Sequence, residues 1–135
     1  MKINKLKVGA TASFQKTISE SDVYQFAGIT GDLNPAHINA VEAKQSMFKD
    51  RVAHGILLGG LISAVLGMQL PGPGTIYLGQ TLKFKKPVFF GDTIKATVKI
   101  IEIKQEKNIV ILDTVCQNQN NEQVLEGQAT VMPPQ

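Results

Sequence analysis

A chain of 135 residues, 43 % hydrophobic and 19 % charged, holds enough apolar material for a core and is too short for two ordinary domains. That excludes a disordered chain and predicts a single domain over residues 1–135. The net charge of +3 comes from lysines scattered along the chain; with no nucleic-acid motif near them, a nucleic-acid partner is not expected, and a mildly basic surface or attraction for a phosphate-bearing ligand remains.

The N-terminal run MKINKLKVGATASF carries charges and no continuous apolar stretch, so no secretory signal is expected. A strand is predicted at about 12–17. Ser19-Glu20-Ser21-Asp22 then opens a helix: Ser19 can accept from an early backbone N–H, and Asp22 lies where a carboxylate favours the helix dipole. Val23, Phe26 and Ala27 give its apolar face. Gly28 and Gly31 loosen its end, and Asn34-Pro35 turns the chain. A second short helix is predicted from Asn39, with Ala40, Ala43 and Met47 on one side and Glu42 supporting its start.

Residues 55–68, GILLGGLISAVLGM, form a helix apolar nearly all round, which other structure must wrap. It is shorter than the roughly 20 residues a membrane span needs and ends at Pro71-Gly72, so a buried helix in a cytoplasmic protein is expected. Gly59 and Gly60 cost it about 1 kcal/mol each relative to alanine, and their expected use is close approach of another backbone.

Beyond Pro71-Gly72-Pro73-Gly74 the period becomes two. Ile76, Leu78, Leu82 and Phe84 alternate with polar neighbours until Pro87. Ile94, Ala96, Val98 and Ile100 follow, then Val110, Leu112 and Cys116 opposite Ile109, Ile111 and Val115, and last Leu125, Gly127, Ala129 and Val131. Cys116 is the only cysteine; it allows no internal disulfide and reads as a small apolar residue. Strand, helices and four or more antiparallel strands make an α+β architecture. One sheet around one helix leaves an edge, which favours pairing with a second copy.

Chemistry concentrates in Thr30-Gly31-Asp32-Leu33-Asn34-Pro35-Ala36-His37. A carboxylate and an imidazole stand five residues apart on a turn, two groups able to exchange protons near neutral pH. Hydration of an α,β-unsaturated thioester requires water to be oriented at C3, a proton delivered to C2 and the thioester oxygen stabilised. Alone, the spacing also suits a turn former and a solvated histidine.

The run Gly31-Asp32-Leu33-Asn34-Pro35-Ala36-His37 resembles the hydratase-2 motif of MaoC-like, (R)-specific enoyl-CoA hydratases. Val52-Ala53-His54-Gly55-Ile56-Leu57 is similar to the family's approach to its central helix. Ile76–Gln80, Phe84, Pro87-Val88 and Gly91-Asp92 fit as well, in the expected order and over nearly the whole chain. Ala36, where a bulkier aliphatic is common, and Asn39, where aspartate is frequent, depart from the pattern, as do Leu57 and Leu58. The likeness extends to the single-domain hydratases that supply polyhydroxyalkanoate monomers.

This resemblance implies a hot-dog fold, an antiparallel sheet wrapped around the long helix, and a homodimer. It implies a hydro-lyase acting reversibly on short-chain trans-2-enoyl-CoA, with no cofactor (coenzyme A being part of the substrate) and no metal. Asp32 and His37 would activate water and transfer protons, and Gly55 would donate its N–H to the thioester oxygen, as a helix N-terminus can. Ser63 matches a serine placed near the pair, and Asn34 and Gly31 would shape the loop. A small pocket suggests acyl chains of about four to six carbons.

Three rivals stand beside this reading: a thioesterase, a 3-hydroxyacyl-[acyl-carrier-protein] dehydratase using the same residues, and a non-catalytic acyl-CoA-binding module. For His54, just ahead of the helix, a structural or capping role competes with a role in the site. Tyr77 and Phe84 read as core or pocket wall. Lys83, Lys85, Lys86 and Arg51 read as a solvated face or as partners for CoA phosphates.

Overall fold

The computed structural model describes residues Met1–Gln135. From the N-terminus the chain runs through strand β1 (Thr11–Thr17), helices α1 (Glu20–Thr30), α2 (Pro35–Ile38), α3 (Ala40–Lys44) and α4 (Gly55–Met68), then strands β2 (Ile76–Gln80), β3 (Lys83–Phe84), β4 (Thr93–Lys104), β5 (Ile109–Gln117) and β6 (Gln123–Met132). The strands form one antiparallel sheet in the order β1-β4-β5-β6-β2, with β3 also paired to β6.

The period-two pattern decides which face of the sheet is inside. Ile94, Ala96, Val98 and Ile100 of β4, Val110, Leu112 and Cys116 of β5, and Leu125, Ala129 and Val131 of β6 are all fully buried. They meet Leu58, Leu61, Ile62, Val65 and Leu66 of α4, which packs across β4, β1 and β5. This is the hot-dog arrangement. Full burial of one such aliphatic side chain contributes about 1.5–3 kcal/mol, so truncating Ile62 at the helix centre would cost about 2–5 kcal/mol through the cavity it leaves.

Gly127 marks the one place where the inner face cannot carry a side chain. A Cβ there would lie 1.8 Å from the Thr81 carbonyl oxygen, because the segment between β2 and β3 crosses directly over it. Thr81 is held there by its N–H to the Gln128 carbonyl at 2.9 Å.

Four expectations need correction. Helix α1 runs unbroken through Gly28 and ends only at Gly31. Met47 lies outside α3 and is 85 % exposed. Helix α4 is not wrapped on every side: Ile56, Gly60 and Ser63 lie exposed along one stripe, since a single sheet covers only one side of a helix. No backbone of the chain approaches Gly59 or Gly60; Gly59 faces only the Leu82 and Ile56 side chains and Gly60 faces open space. No helix is long and apolar enough to cross a membrane.

Candidate active site

Helix α1 ends in a way that aims the next residues into the site. Ser19 and Asp22 form a reciprocal capping box at its start, satisfying two orphan N–H groups. At its end Gly31 adopts φ 83°, and its N–H donates to the Ala27 carbonyl at 2.8 Å. Only glycine takes that left-handed C-cap without strain. Asp32 follows on an exposed loop, where its Oδ1 accepts from the Asn34 N–H at 3.3 Å.

Asn34-Pro35 makes more than a turn. Asn34 Oδ1 accepts from the Ala36 N–H at 3.0 Å, with Pro35 at the first helical position, so the pair starts the one-turn helix α2 that carries His37. The sequence pattern missed this helix because four residues are too few to show a period.

Val52 clamps α2 from the far side. Its N–H donates to the Ala36 carbonyl at 3.0 Å, and its carbonyl accepts from His37 Nδ1 at 2.6 Å. A carbonyl oxygen can only accept, so Nδ1 carries the proton and Nε2 is left with a lone pair, the form suited to a base.

His54 is buried against this pair. Its ring stacks on His37 with centroids 3.8 Å apart and planes 29° from parallel, and Phe26 closes its other side at 4.8 Å. Its Nε2–H donates to the Asp32 backbone carbonyl at 2.9 Å, while Nδ1 is buried without a partner. Its side chain makes no cap to α4, so the capping reading is corrected: the ring turns back toward Asp32 instead of forward along the helix. Asp32, His37 and His54 bring potential ligand atoms within 4.8 Å of one another. Both imidazoles commit a ring nitrogen to a backbone carbonyl, His37 through Nδ1 and His54 through Nε2.

A cavity of about 520 Å³ joins these groups to the start of α4, lined by Asp32, His37, His54, Gly55 and Phe84, with Val52 and Val88 in its wall. No side chain caps the start of α4; the Leu57 N–H is taken by the His54 carbonyl at 3.0 Å, while the Gly55 N–H makes no hydrogen bond and remains available to an anion or a polarised oxygen. Lys85 and Lys86 stand in the same lining. Each is paired, Lys85 with Glu126 at 3.1 Å and Lys86 with Glu122, and Lys86 holds the Glu122 carboxyl below the usual carboxylate range.

The other expected participants lie elsewhere. Ser63 is not brought to the cavity; it faces a second groove with Ile56, Gly60, Tyr77 and Gln80. Lys83 borders another hollow beside Asp113 and Glu126. Arg51 is committed to Glu20 and Tyr24 and covers the Phe90 ring at 4.8 Å. Val52, a backbone partner, and the place of His54 were beyond sequence reasoning, though His54 standing immediately before Gly55 was a signal that it borders the same cavity.

A family model described as a MaoC like domain matches residues 4–121. The chain belongs to the MaoC-like domain family. Among its relatives, an (R)-specific enoyl-CoA hydratase of Rhodospirillum rubrum is 54 % identical over 96 % of this chain and 89 % of that protein. One of the same description from Aeromonas caviae is 39 % identical over 99 % of this chain and all of that protein. The solved structure of an unliganded R-hydratase from Pseudomonas aeruginosa superposes on this MaoC-like chain with a TM-score of 0.94, at 45 % identity, covering 99 % of this chain and 86 % of that one.

Proposed function

We propose that this protein is an (R)-specific enoyl-CoA hydratase, a hydro-lyase that reversibly adds water to a short-chain trans-2-enoyl-CoA to give the (R)-3-hydroxyacyl-CoA. One observation carries the reading: Asp32, His37 and the uncapped start of α4 at Gly55 open into one cavity.

The residues serve the reaction as follows. Asp32 and His37 hold one water; their side-chain atoms lie within 4.8 Å, a gap that water spans with two ordinary hydrogen bonds. The hydroxyl of that water bonds to C3, and one proton is added to C2 from the same face. Both proton movements pass through the Asp32–His37 pair, with His37 Nε2 as the available base. The Gly55 N–H, at the positive end of α4, takes the thioester oxygen as charge builds on it. Asn34 and Gly31 set the loop. Coenzyme A enters as part of the substrate, and the chemistry asks for acid–base groups and a donor, which these side chains and N–H groups supply. Lys85 and Lys86, in the cavity lining, reach its phosphates by exchanging their Glu126 and Glu122 partners.

All 135 residues act as one domain within a homodimer. Supporting the second copy, the edge strand β2 exposes Ile76 at 55 % and Leu78 at 50 %, next to Ile56 at 52 % on α4; an unpaired apolar edge beside an apolar stripe is unusual on a monomer. The groove holding Ser63 lies on this face. We place the protein in the cytoplasm.

A second reading rests on a relative: a 3-hydroxyacyl-[acyl-carrier-protein] dehydratase of Solanum lycopersicum is 38 % identical over 97 % of this chain. On this reading the chain's Asp32 and His37 act on a thioester held by a different carrier. The test presents crotonyl-CoA and crotonyl-acyl-carrier-protein separately, follows loss of the enoyl-thioester absorbance and resolves the product on a chiral column. Faster turnover of the CoA ester to the (R)-alcohol is the expected result. Preference for the carrier protein would select the second reading, and an (S)-product would contradict the site geometry.

A further inference from the structure

We propose that His54 is a positioning residue that fixes Asp32 and His37 relative to each other. It acts through the two residues assigned to the chemistry, so the proposal rests on the hydratase reading above. His54 is 1 % exposed. Its ring face lies against His37 at 3.8 Å, and its edge, through Nε2–H, holds the Asp32 carbonyl at 2.9 Å.

Asn34 also bridges the two locally, its N–H donating to Asp32 Oδ1 at 3.3 Å and its carbonyl accepting from the His37 N–H at 2.9 Å, and His54 is the link that reaches both from outside the Asp32–His37 segment. The remaining hydrogen bonds of Asp32 are to Thr30, the last residue of α1, and Asn34, the cap of α2, each only two residues away. His37 is held from the Nδ1 edge by Val52, which fixes its tilt but leaves its face to be supported. His54 supplies that support and tethers the Asp32 loop to the first turn of α4. The carboxylate, the imidazole and the Gly55 N–H are thereby referred to one rigid element.

The choice of histidine also has a cost that needs a return. Its buried Nδ1 has no partner, and such an atom is destabilising where a phenylalanine ring would pack without loss. The Nε2–H to Asp32 is what a phenylalanine could not provide.

Three variants separate the two functions of the ring. His54→Gln keeps a donor for the Asp32 carbonyl and loses the stack, His54→Phe keeps the stack and loses the donor, and His54→Ala loses both. With crotonyl-CoA, His54→Ala is expected to lower kcat about 10- to 100-fold with KM little changed, because misplacement of reacting groups by fractions of an ångström has effects of this size. Gln and Phe each recover part of the loss. Without substrate, backbone amide exchange at Asp32 and Asn34 accelerates in Ala and Phe and stays near wild type in Gln.

If His54→Ala does not fold, Gln and Phe carry the same comparison. A folded His54→Ala with kcat within about threefold of wild type, a loss confined to KM, or full recovery by Phe alone would overturn the proposal. Should the wild type hydrate no enoyl thioester, the hydratase reading fails, and the exchange data still decide whether His54 holds Asp32.

Discussion

Phe84 lies directly against Gly55 at the start of α4: a Cβ on Gly55 would come within 2.7 Å of Cε1 and 2.8 Å of Cδ1 of the Phe84 ring. The ring is 53 % exposed and can swing outward. Gly55→Ala is therefore expected to unfold at close to the wild-type temperature and yet to displace Phe84 into the cavity mouth and disturb the N–H that faces the thioester. The predicted loss in kcat/KM is about tenfold or more. Adding Phe84→Ala to Gly55→Ala should restore part of it, and steady-state kinetics on the three variants checks this.

Asn34 is expected to matter through His37. Its Oδ1 caps the one-turn helix α2, and loss of such a cap costs about 1 kcal/mol. Asn34→Ala should lower the midpoint of urea unfolding slightly and kcat by a larger factor. Asn34→Ser, which restores an acceptor, should recover both. Equal loss in Ala and Ser would mean that the amide has a direct part in the reaction.

Stability in acid should depend on Asp22. The Ser19 backbone N–H, against the opposing effect of burial and with help from Lys16, lowers its pKa below 3.8. The unfolded chain then takes up this proton at higher pH than the folded one, so the contribution is present above about pH 4 and is lost as pH falls through the folded value. Asp22→Asn should lower the unfolding midpoint at pH 7 and narrow its difference from wild type at pH 3, as urea titrations at the two pH values would show.

Cys116 should be silent toward thiol reagents in the native protein. Burial between the sheet and α4 pushes its pKa from 9.0 up to about 12, and its surface is fully covered. Iodoacetamide at pH 8 should label it only after denaturation. The folded pKa is raised for an acid, so the unfolded thiol ionises first; its contribution to stability is present below pH 9 and is lost as pH rises toward about 12.

The sheet and α4 were legible in the sequence because their signals repeat. Ile94, Ala96, Val98 and Ile100 alternate over enough positions to exclude a helix, and GILLGGLISAVLGM has a length only a buried helix suits. The stripe of Ile56, Gly60 and Ser63 was not legible: an all-apolar helix does not reveal which side the single sheet leaves bare. The Asp32–His37 pair stood out through its motif, but what holds it did not. Val52 acts through its backbone, which no side-chain pattern records. His54 is seventeen residues from His37 in sequence, and only the fold stacks the two rings.

The central claim is that Asp32 and His37 together carry the protons of hydration. The most direct measurement is kcat on crotonyl-CoA for Asp32→Asn and His37→Gln, with circular dichroism to establish that both variants are folded. Each substitution keeps the size of the side chain and removes its ability to take a proton. Losses of about 10²–10⁴-fold in kcat for both variants are predicted, in the range one positioned acid–base group contributes. A folded variant of either kind that retained kcat within about tenfold of wild type would contradict the account.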